Sequence, residues 1–171
     1  MIYKTRLNEF LISIIILIQL NGCGIYSFSG ASIANDINTI SIQYIKNNAP
    51  IVQPNLSNNI TESLKTKCLN ETNLSWREKD ADINFYGTII SYKVEPISIQ
   101  NNETAAQNRL TIKVEIIFVN NKDDSQNFNK TFTHYTDFNS NENFLDKEDE
   151  LNELIISNLI DDIFNAALTN W

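Results

Sequence analysis

The stretch RLTIKVEIIFV, residues 109–119, decides the fold of this chain. Every second residue in it is apolar, and these apolar positions are Leu110, Ile112, Val114, Ile116 and Phe118. A period of two indicates a β-strand with one buried face. The segments 82–96 and 126–135 also have strand character, and the polar run 120–124 is a tight reversal. Together the three segments predict an antiparallel meander.

The rest of the chain supplies one more strand and two helices. Residues 36–45 alternate in the same way, with Ile40, Ile42 and Tyr44 on one side and Thr39, Ser41 and Gln43 on the other. The segment after Pro54 and the C-terminal segment carry apolar side chains at helical spacing instead. The first stripe contains Leu56, Ile60, Leu64 and Cys68 or Leu69, and the second contains Leu151, Leu154, Ile155, Leu159, Ile163 and Ala166. The order β-α-β-β-β-α predicts an α+β fold, a two-layer α/β sandwich with a four-stranded mixed sheet and both helices on one face. A helix joins the first two strands, which suits a parallel pair.

Composition excludes several classes of protein. The 171 residues carry a formal net charge of −8 and are 42% hydrophobic, the profile of one modest globular domain. The chain has only four glycines, too few for a typical glycine-rich phosphate-binding loop, so a Rossmann or P-loop enzyme is disfavoured. The acidic balance also disfavours nucleic acid as a partner.

Catalytic and metal-binding side chains are scarce. His134 is the only histidine, and it lies in a predicted strand beside core positions, so we interpret it as structural rather than as a catalytic base. Cys68 falls on the apolar stripe of the first helix, and we assign it to the core. One histidine and one unmodified cysteine do not supply a zinc site, and the acidic runs lack the spacing of a calcium loop. The sequence therefore predicts no cofactor, no metal and no enzymatic activity.

The N-terminus has the features of a lipoprotein signal peptide. Lys4 and Arg6 precede the mostly apolar run 10–20, which is too short to span a membrane. The next residues, Leu20-Asn21-Gly22-Cys23, resemble the bacterial lipobox. In that motif the cysteine thiol takes a diacylglycerol, and the amino group freed by cleavage is acylated, commonly with palmitate. The alternative is an ordinary signal peptide with Cys23 as an incidental thiol.

The lipobox resemblance fixes the expected boundaries and location. We expect residues 1–22 to be removed, Cys23 to be the site of lipid attachment and residues 23–171 to form a single domain tethered to a membrane by its lipid anchor. Gly24 follows the cysteine, and Asp, the familiar signal for retention in the inner membrane, is absent there. The default destination is the periplasmic side of the outer membrane.

The start of the mature chain resembles a known family. The motif CGIYSFSG, residues 23–30, is followed by Ile40-Ser41-Ile42, by Asn48-Ala49-Pro50 and by a helix. This arrangement looks like the divergent branch of the LptE lipopolysaccharide-assembly lipoproteins, and the resemblance extends to about residue 168. It implies an outer-membrane lipoprotein that inserts into the LptD β-barrel, supports assembly of that barrel and helps to deliver lipopolysaccharide. The alternative function is a lipid-anchored binding module of another cell-envelope complex.

Strand alternation also predicts an interaction surface. It assigns Ile83, Phe85, Leu110, Ile112, Val114 and Phe132 to the sheet face under the helices. Tyr86, Ile90, Tyr92, Ile117 and Tyr135 point the other way, and Lys113 shares their face. A solvated face is mostly polar, so this many aromatic and branched side chains indicate a surface for a partner or ligand, with Lys113 suited to an anionic group. The alternative is that residues 101–108 or the mature N-terminal segment fold over this face.

Overall fold

The computed structural model describes residues 33–97 and 106–169. The predicted signal peptide, Cys23 and the motif of residues 23–30 lie outside these ranges. The described elements are β1 (Thr39–Ile42), β2 (Lys46–Asn47), α1 (Leu56–Glu71), β3 (Ser75–Trp76), β4 (Ile83–Ile97), β5 (Gln107–Asn120), a 3₁₀ turn (Asp124–Gln126), β6 (Phe128–Asn139) and α2 (Phe144–Leu168). None of the described helices is long and apolar enough to cross a membrane.

The strands form one mixed sheet, and the predicted α+β sandwich is confirmed. The strand order is β3-β1-β4-β5-β6, and β2 pairs with β4 beyond the end of β1. β1 runs parallel to both β3 and β4, whereas β4, β5 and β6 form the predicted antiparallel meander. The sheet has six strands, whereas the sequence predicted four. The prediction missed β2 and β3 because they have two residues each, too few to produce an alternation in the sequence.

The first strand is shorter than its alternation predicted. β1 ends at Ile42, and the backbone N–H of Ile45 donates a hydrogen bond to Oγ1 of Thr61 in α1. Tyr44, which alternation placed on the same side as the buried Ile40 and Ile42, is instead 57% exposed. That prediction is wrong because the pairing with β4 shifts by one residue between β1 and β2. Ile42 stands opposite Phe85 but Lys46 stands opposite Thr88, and Ile45 instead of Tyr44 takes the buried position.

Both helices pack with the sheet into one apolar core. Leu56, Ile60, Leu64 and Cys68 of α1 are buried as predicted. The buried face of α2 is wider than its predicted stripe, because α2 packs on the sheet and on α1 together; it includes Ile156, Ile160, Phe164 and Ala167. Leu154, which we placed on the buried stripe, is 51% exposed, so that assignment is wrong.

A β-bulge in β4 reverses the faces of that strand. The register with β5 shifts between Ile89 and Ser91, and Ile90 has no partner in the ladder. Before the shift, odd-numbered residues such as Phe85 and Ile89 face the helices; after it, Tyr92 stands opposite the fully buried Ile112. One inserted residue thus exchanges inside and outside for the rest of the strand.

Asp82 ties together the end of the sheet where β1 and β4 begin. Its Oδ2 accepts hydrogen bonds from the backbone N–H groups of Asn38 and Thr39, both at 3.0 Å, and from the Thr39 hydroxyl at 2.8 Å. Nζ of Lys122, in the turn after β5, lies 3.2 Å from Oδ1. The hydrogen bond from Asn38 and these further contacts lower the pKa of Asp82 to about 2, from its usual 3.8.

Candidate interaction surface

The sheet face opposite the helices, here called the open face, carries five of the six side chains predicted for it. Tyr86 stands directly opposite Ile117, and their side chains are 45% and 41% exposed. Ile90, the extra residue of the bulge, is 40% exposed, and Tyr135 opposite Thr111 is 53% exposed. Lys113 is exposed and lies in the centre of this face, between Ser91 and Thr133. The meander therefore brings exposed aromatic and branched side chains onto the three strands of one face.

The prediction for Tyr92 is wrong. Only 4% of this residue is exposed, and its hydroxyl donates a 2.7 Å hydrogen bond to Oε1 of Glu148 in α2. Burial raises the pKa of the Tyr92 phenol, and the bond to Glu148 raises it further. The cause is the bulge at Ile90, which turns every later residue of β4 to the opposite side. Tyr92 belongs to the core and holds α2 on the sheet.

Two residues that we did not predict, Tyr44 and Lys46, extend the open face past β4. With Tyr86, Ile117 and Glu115 they line a groove of about 400 Å³; its remaining walls are Gln43, Gly87 and Thr88. Alternation alone could not identify Tyr44, because it assigned this residue to the buried side. The one-residue shift between β1 and β2 that exposes Tyr44 depends on their pairing with β4, so the sequence carried no local signal of it.

The open face holds two lysines without an ion pair to any described residue. These are Lys46, at the groove, and Lys113. The other cations of this face are neutralised: Lys93 pairs with Glu95 at 2.6 Å, and Arg109 forms two hydrogen bonds with Asp137, at 2.7 and 2.9 Å. These bonds raise the pKa of the Arg109 guanidinium and lower the pKa of the Asp137 carboxyl.

The guanidinium of Arg109 also lies 3.7 Å from the centre of the Tyr135 ring. This contact fixes the ring while leaving half of the side chain exposed. Apolar and aromatic surface beside two available ammonium groups suits a partner or ligand that combines apolar parts with anionic ones.

His134 and Cys68 have structural environments. Nε2 of His134 lies 2.6 Å from Oδ2 of Asp162 in α2, so the imidazole joins β6 to the helix on the side away from the open face. Cys68 is fully buried, and burial raises the pKa of its thiol to about 12. A thiol with so high a pKa is not a nucleophile at neutral pH. Within the described ranges, no three side chains of the metal-binding types cluster around a common point.

A larger groove of about 770 Å³ lies between the two helices. Nζ of Lys67 lies 2.7 Å from a carboxylate oxygen of Glu71 and 2.8 Å from one of Asp161, and so connects α1 to α2. The other walls are mainly amide, hydroxyl and carboxylate side chains, among them Asn59, Glu62, Asp149 and Glu153. Because it has no aromatic side chain, this groove is a weaker candidate than the open face for contact with a partner.

Comparison with known sequences and structures identifies relatives. The sequence profile of the family described as "LptE: Lipopolysaccharide-assembly" matches residues 37–167. No curated protein matches the sequence. The fold is similar to that of a minor lipoprotein from Acinetobacter baumannii, with 13% identity, coverage of 77% of this chain and 94% of that one, and a TM-score of 0.49. It is also similar to the rare lipoprotein B from Shewanella oneidensis, with 16% identity, coverage of 75% and 90%, and a TM-score of 0.40.

Proposed function

Since this chain belongs to the LptE lipopolysaccharide-assembly family, we propose that it is an outer-membrane lipoprotein that assists assembly of an LptD-type β-barrel and delivery of lipopolysaccharide. The family match over 131 of the 171 residues carries this proposal. The family is a non-enzymatic one that takes part in lipopolysaccharide transport. We extend both properties to this chain, with lipid attachment at Cys23 and residence on the periplasmic side.

The open face is the proposed contact surface for the partner. Tyr86 and Ile117 stand opposite each other near the end of β5, with Tyr44 across the groove, and all three are about half exposed. Tyrosines combine apolar area with a hydroxyl, which suits an interface that keeps some water. Ile90 extends the same surface along β4, and Tyr135 extends it onto β6. These side chains are proposed to meet the inner wall of the barrel.

Lys46 and Lys113 are the side chains of the open face that we propose to bind the anionic groups of lipopolysaccharide. Each is an ammonium group without an anionic partner among the described residues, next to exposed apolar side chains. Such a pairing fits a molecule with phosphate or carboxylate groups and hydrocarbon chains, because the lysines contact the anions while the apolar side chains contact the hydrocarbon. Lys113 is the better placed of the two, since its strand lies in the middle of the meander.

The runner-up function is a lipid-anchored binding module of another envelope complex. The groove beside Tyr44 favours it, because a groove of about 400 Å³ with polar and aromatic walls fits a peptide or sugar as well as a barrel wall. Depletion of the protein distinguishes the two functions. Loss of lipopolysaccharide from the outer leaflet and failure of the LptD barrel to fold support the leading function, whereas normal levels of both exclude it.

Purification of the tagged chain from detergent-solubilised membranes tests the partner and the surface together. The wild-type chain should bring down a large β-barrel in equimolar amount. Tyr86→Ala with Ile117→Ser should reduce recovery of the barrel at least tenfold with little loss of stability. The matched control is Ile51→Ser with Val52→Ser, which removes similar apolar area from the exposed loop before α1. Equal recovery with both double variants would assign the interface to another surface.

A second pair of variants tests the anionic ligand. Lys113→Glu should weaken binding of purified lipopolysaccharide to the full chain, and it should affect recovery of the barrel less. Lys93→Glu is the matched control, because Lys93 lies on the same sheet but is already paired with Glu95. If both variants weaken binding of lipopolysaccharide equally, the effect is one of overall charge, and the role proposed for Lys113 is wrong.

A further inference from the structure

The groove between α1 and α2 contains one ammonium group that the chain itself supplies. Nζ of Lys67 lies 2.7 Å from Oε1 of Glu71 and 2.8 Å from Oδ1 of Asp161. These two carboxylates belong to different helices, so the ammonium connects α1 to α2 at one end of the groove. An ammonium group held between carboxylates of both helices therefore fits this part of the fold.

The other half of the groove has the same acidic chemistry without a cation. Glu62 of α1 lines this half together with Asp149 and Glu153 of α2, and all three residues are exposed. None of them has an ion pair or a hydrogen bond with another described residue. Three carboxylates thus face the groove with no described cation to offset them.

A buried amide in the same part of the groove lacks a partner. Asn152 is a lining residue, although only 3% of it is exposed. It is in hydrogen-bond contact with the Tyr92 phenol, and because that phenol donates to Glu148, its oxygen accepts from the amide N–H of Asn152. The carbonyl oxygen Oδ1 of Asn152 has no hydrogen-bond partner among the described residues. Buried polar atoms are nearly always hydrogen-bonded, so this acceptor suits a ligand that brings an N–H group into the groove.

The acidic side chains are spread along the groove. Its lining residues extend from Asn55 to Lys67 on α1, twelve residue steps or about 18 Å of helix, and from Asp149 to Asp161 on α2. A divalent cation needs several oxygen ligands around one point, and within the described ranges no three side chains of the metal-binding types are arranged in that way. A ligand with positive charges spaced along a chain fits this distribution better than a metal ion does.

We propose that this groove binds a linear aliphatic polyamine. One terminal ammonium group of the ligand lies among the three unpaired carboxylates and donates a hydrogen bond to Oδ1 of Asn152. An ammonium group has only donors, so it matches walls made of acceptors. The methylene chain runs along Ile156 and Ile160, the two apolar lining residues, toward Asp161. The open face takes no part, so this inference goes beyond the proposed function and does not depend on it.

Calorimetric titration with spermidine, at low salt and with the full chain in a nonionic detergent, tests the site. The wild-type chain should bind one spermidine, and Glu62→Gln with Glu153→Gln should weaken binding at least tenfold, since attraction between charges dominates the contact. The matched control is Glu78→Gln with Glu115→Gln, which removes the same two charges outside the groove and should change the dissociation constant less than twofold. No binding of spermidine, or equal weakening by the two pairs of substitutions, would overturn the inference.

A comparison of ligands tests the class of compound. Glucosamine carries its ammonium group on a sugar, and Mg²⁺ carries charge without N–H donors; both should bind at least tenfold more weakly than spermidine. Tighter binding of glucosamine would assign the groove to an amino sugar, and equal binding of Mg²⁺ would show general attraction of cations, so either result refutes a polyamine site.

Asn152→Leu tests the buried acceptor. This variant removes Oδ1 and should weaken binding of spermidine at least fivefold, with folding checked by circular dichroism. Unchanged affinity in the folded variant would contradict the role given to Asn152. None of these outcomes depends on the proposed role in lipopolysaccharide assembly.

Discussion

The contacts of the Asp82 carboxylate should make the stability of the fold depend on pH. Its pKa lies at about 2 in the folded chain, below the usual 3.8. Each unit of difference corresponds to about 1.4 kcal/mol, and about a fifth of this side chain is exposed to screening by water. We therefore expect the ionised carboxylate to contribute about 1–2 kcal/mol to the free energy of unfolding.

The sign follows from the direction of the shift. Since the folded pKa is lower than the unfolded one, the contribution is complete above pH 4 and is lost as the pH falls toward 2. At pH 3 roughly half of it should remain. Replacement by Asn removes the charge but keeps an oxygen that accepts hydrogen bonds, so the variant isolates the effect of ionisation.

Urea denaturation of the wild type and of Asp82→Asn, at pH 7 and at pH 3, measures this effect. At pH 7 the variant should be less stable by about 1–2 kcal/mol, and the difference should shrink at pH 3. The matched control is Asp36→Asn, a change at an exposed aspartate near the start of β1. It should change the free energy of unfolding by less than about 0.5 kcal/mol. A difference between Asp82→Asn and the wild type that is the same at both pH values would refute the reasoning.

Four further substitutions test the core and the anchor. Leu64→Ala and Leu159→Ala, at fully buried positions of α1 and α2, should each lower the free energy of unfolding by about 2–5 kcal/mol in urea denaturation, and an unchanged midpoint would mean that the helical faces are assigned wrongly. Gly87→Ala should cost about 1–3 kcal/mol, because a Cβ there would lie 2.9 Å from Cδ1 of the buried Ile116; full stability would show that this side chain moves aside. Cys23→Ser should abolish attachment to membranes in fractionation of cells that lack the partner, while the unfolding midpoint stays unchanged; a variant that still sediments with membranes would contradict acylation at Cys23.

Local periodicity determined the elements and their order. A period of two identified the meander because each strand has one face toward the core, and helical spacing identified α1 because its buried residues recur at intervals of three to four. The family was also readable from the sequence, since the motif at the start of the mature chain and the order of elements both resemble LptE lipoproteins. The strands β2 and β3 could not be predicted from the sequence, because a two-residue strand is too short to show the alternation of apolar and polar residues.

Only the tertiary structure decided which side chains form the open face. Tyr92 changes sides because one residue, Ile90, is accommodated as a bulge, and whether a strand absorbs an extra residue depends on its pairing with its neighbour. Tyr44 is exposed because the pairing with β4 shifts by one residue between β1 and β2, so that Ile45 takes the buried position. Leu154 is exposed because α2 turns toward α1 as well as toward the sheet. Each of these outcomes depends on contacts between distant parts of the chain, and local alternation carries no information about such contacts.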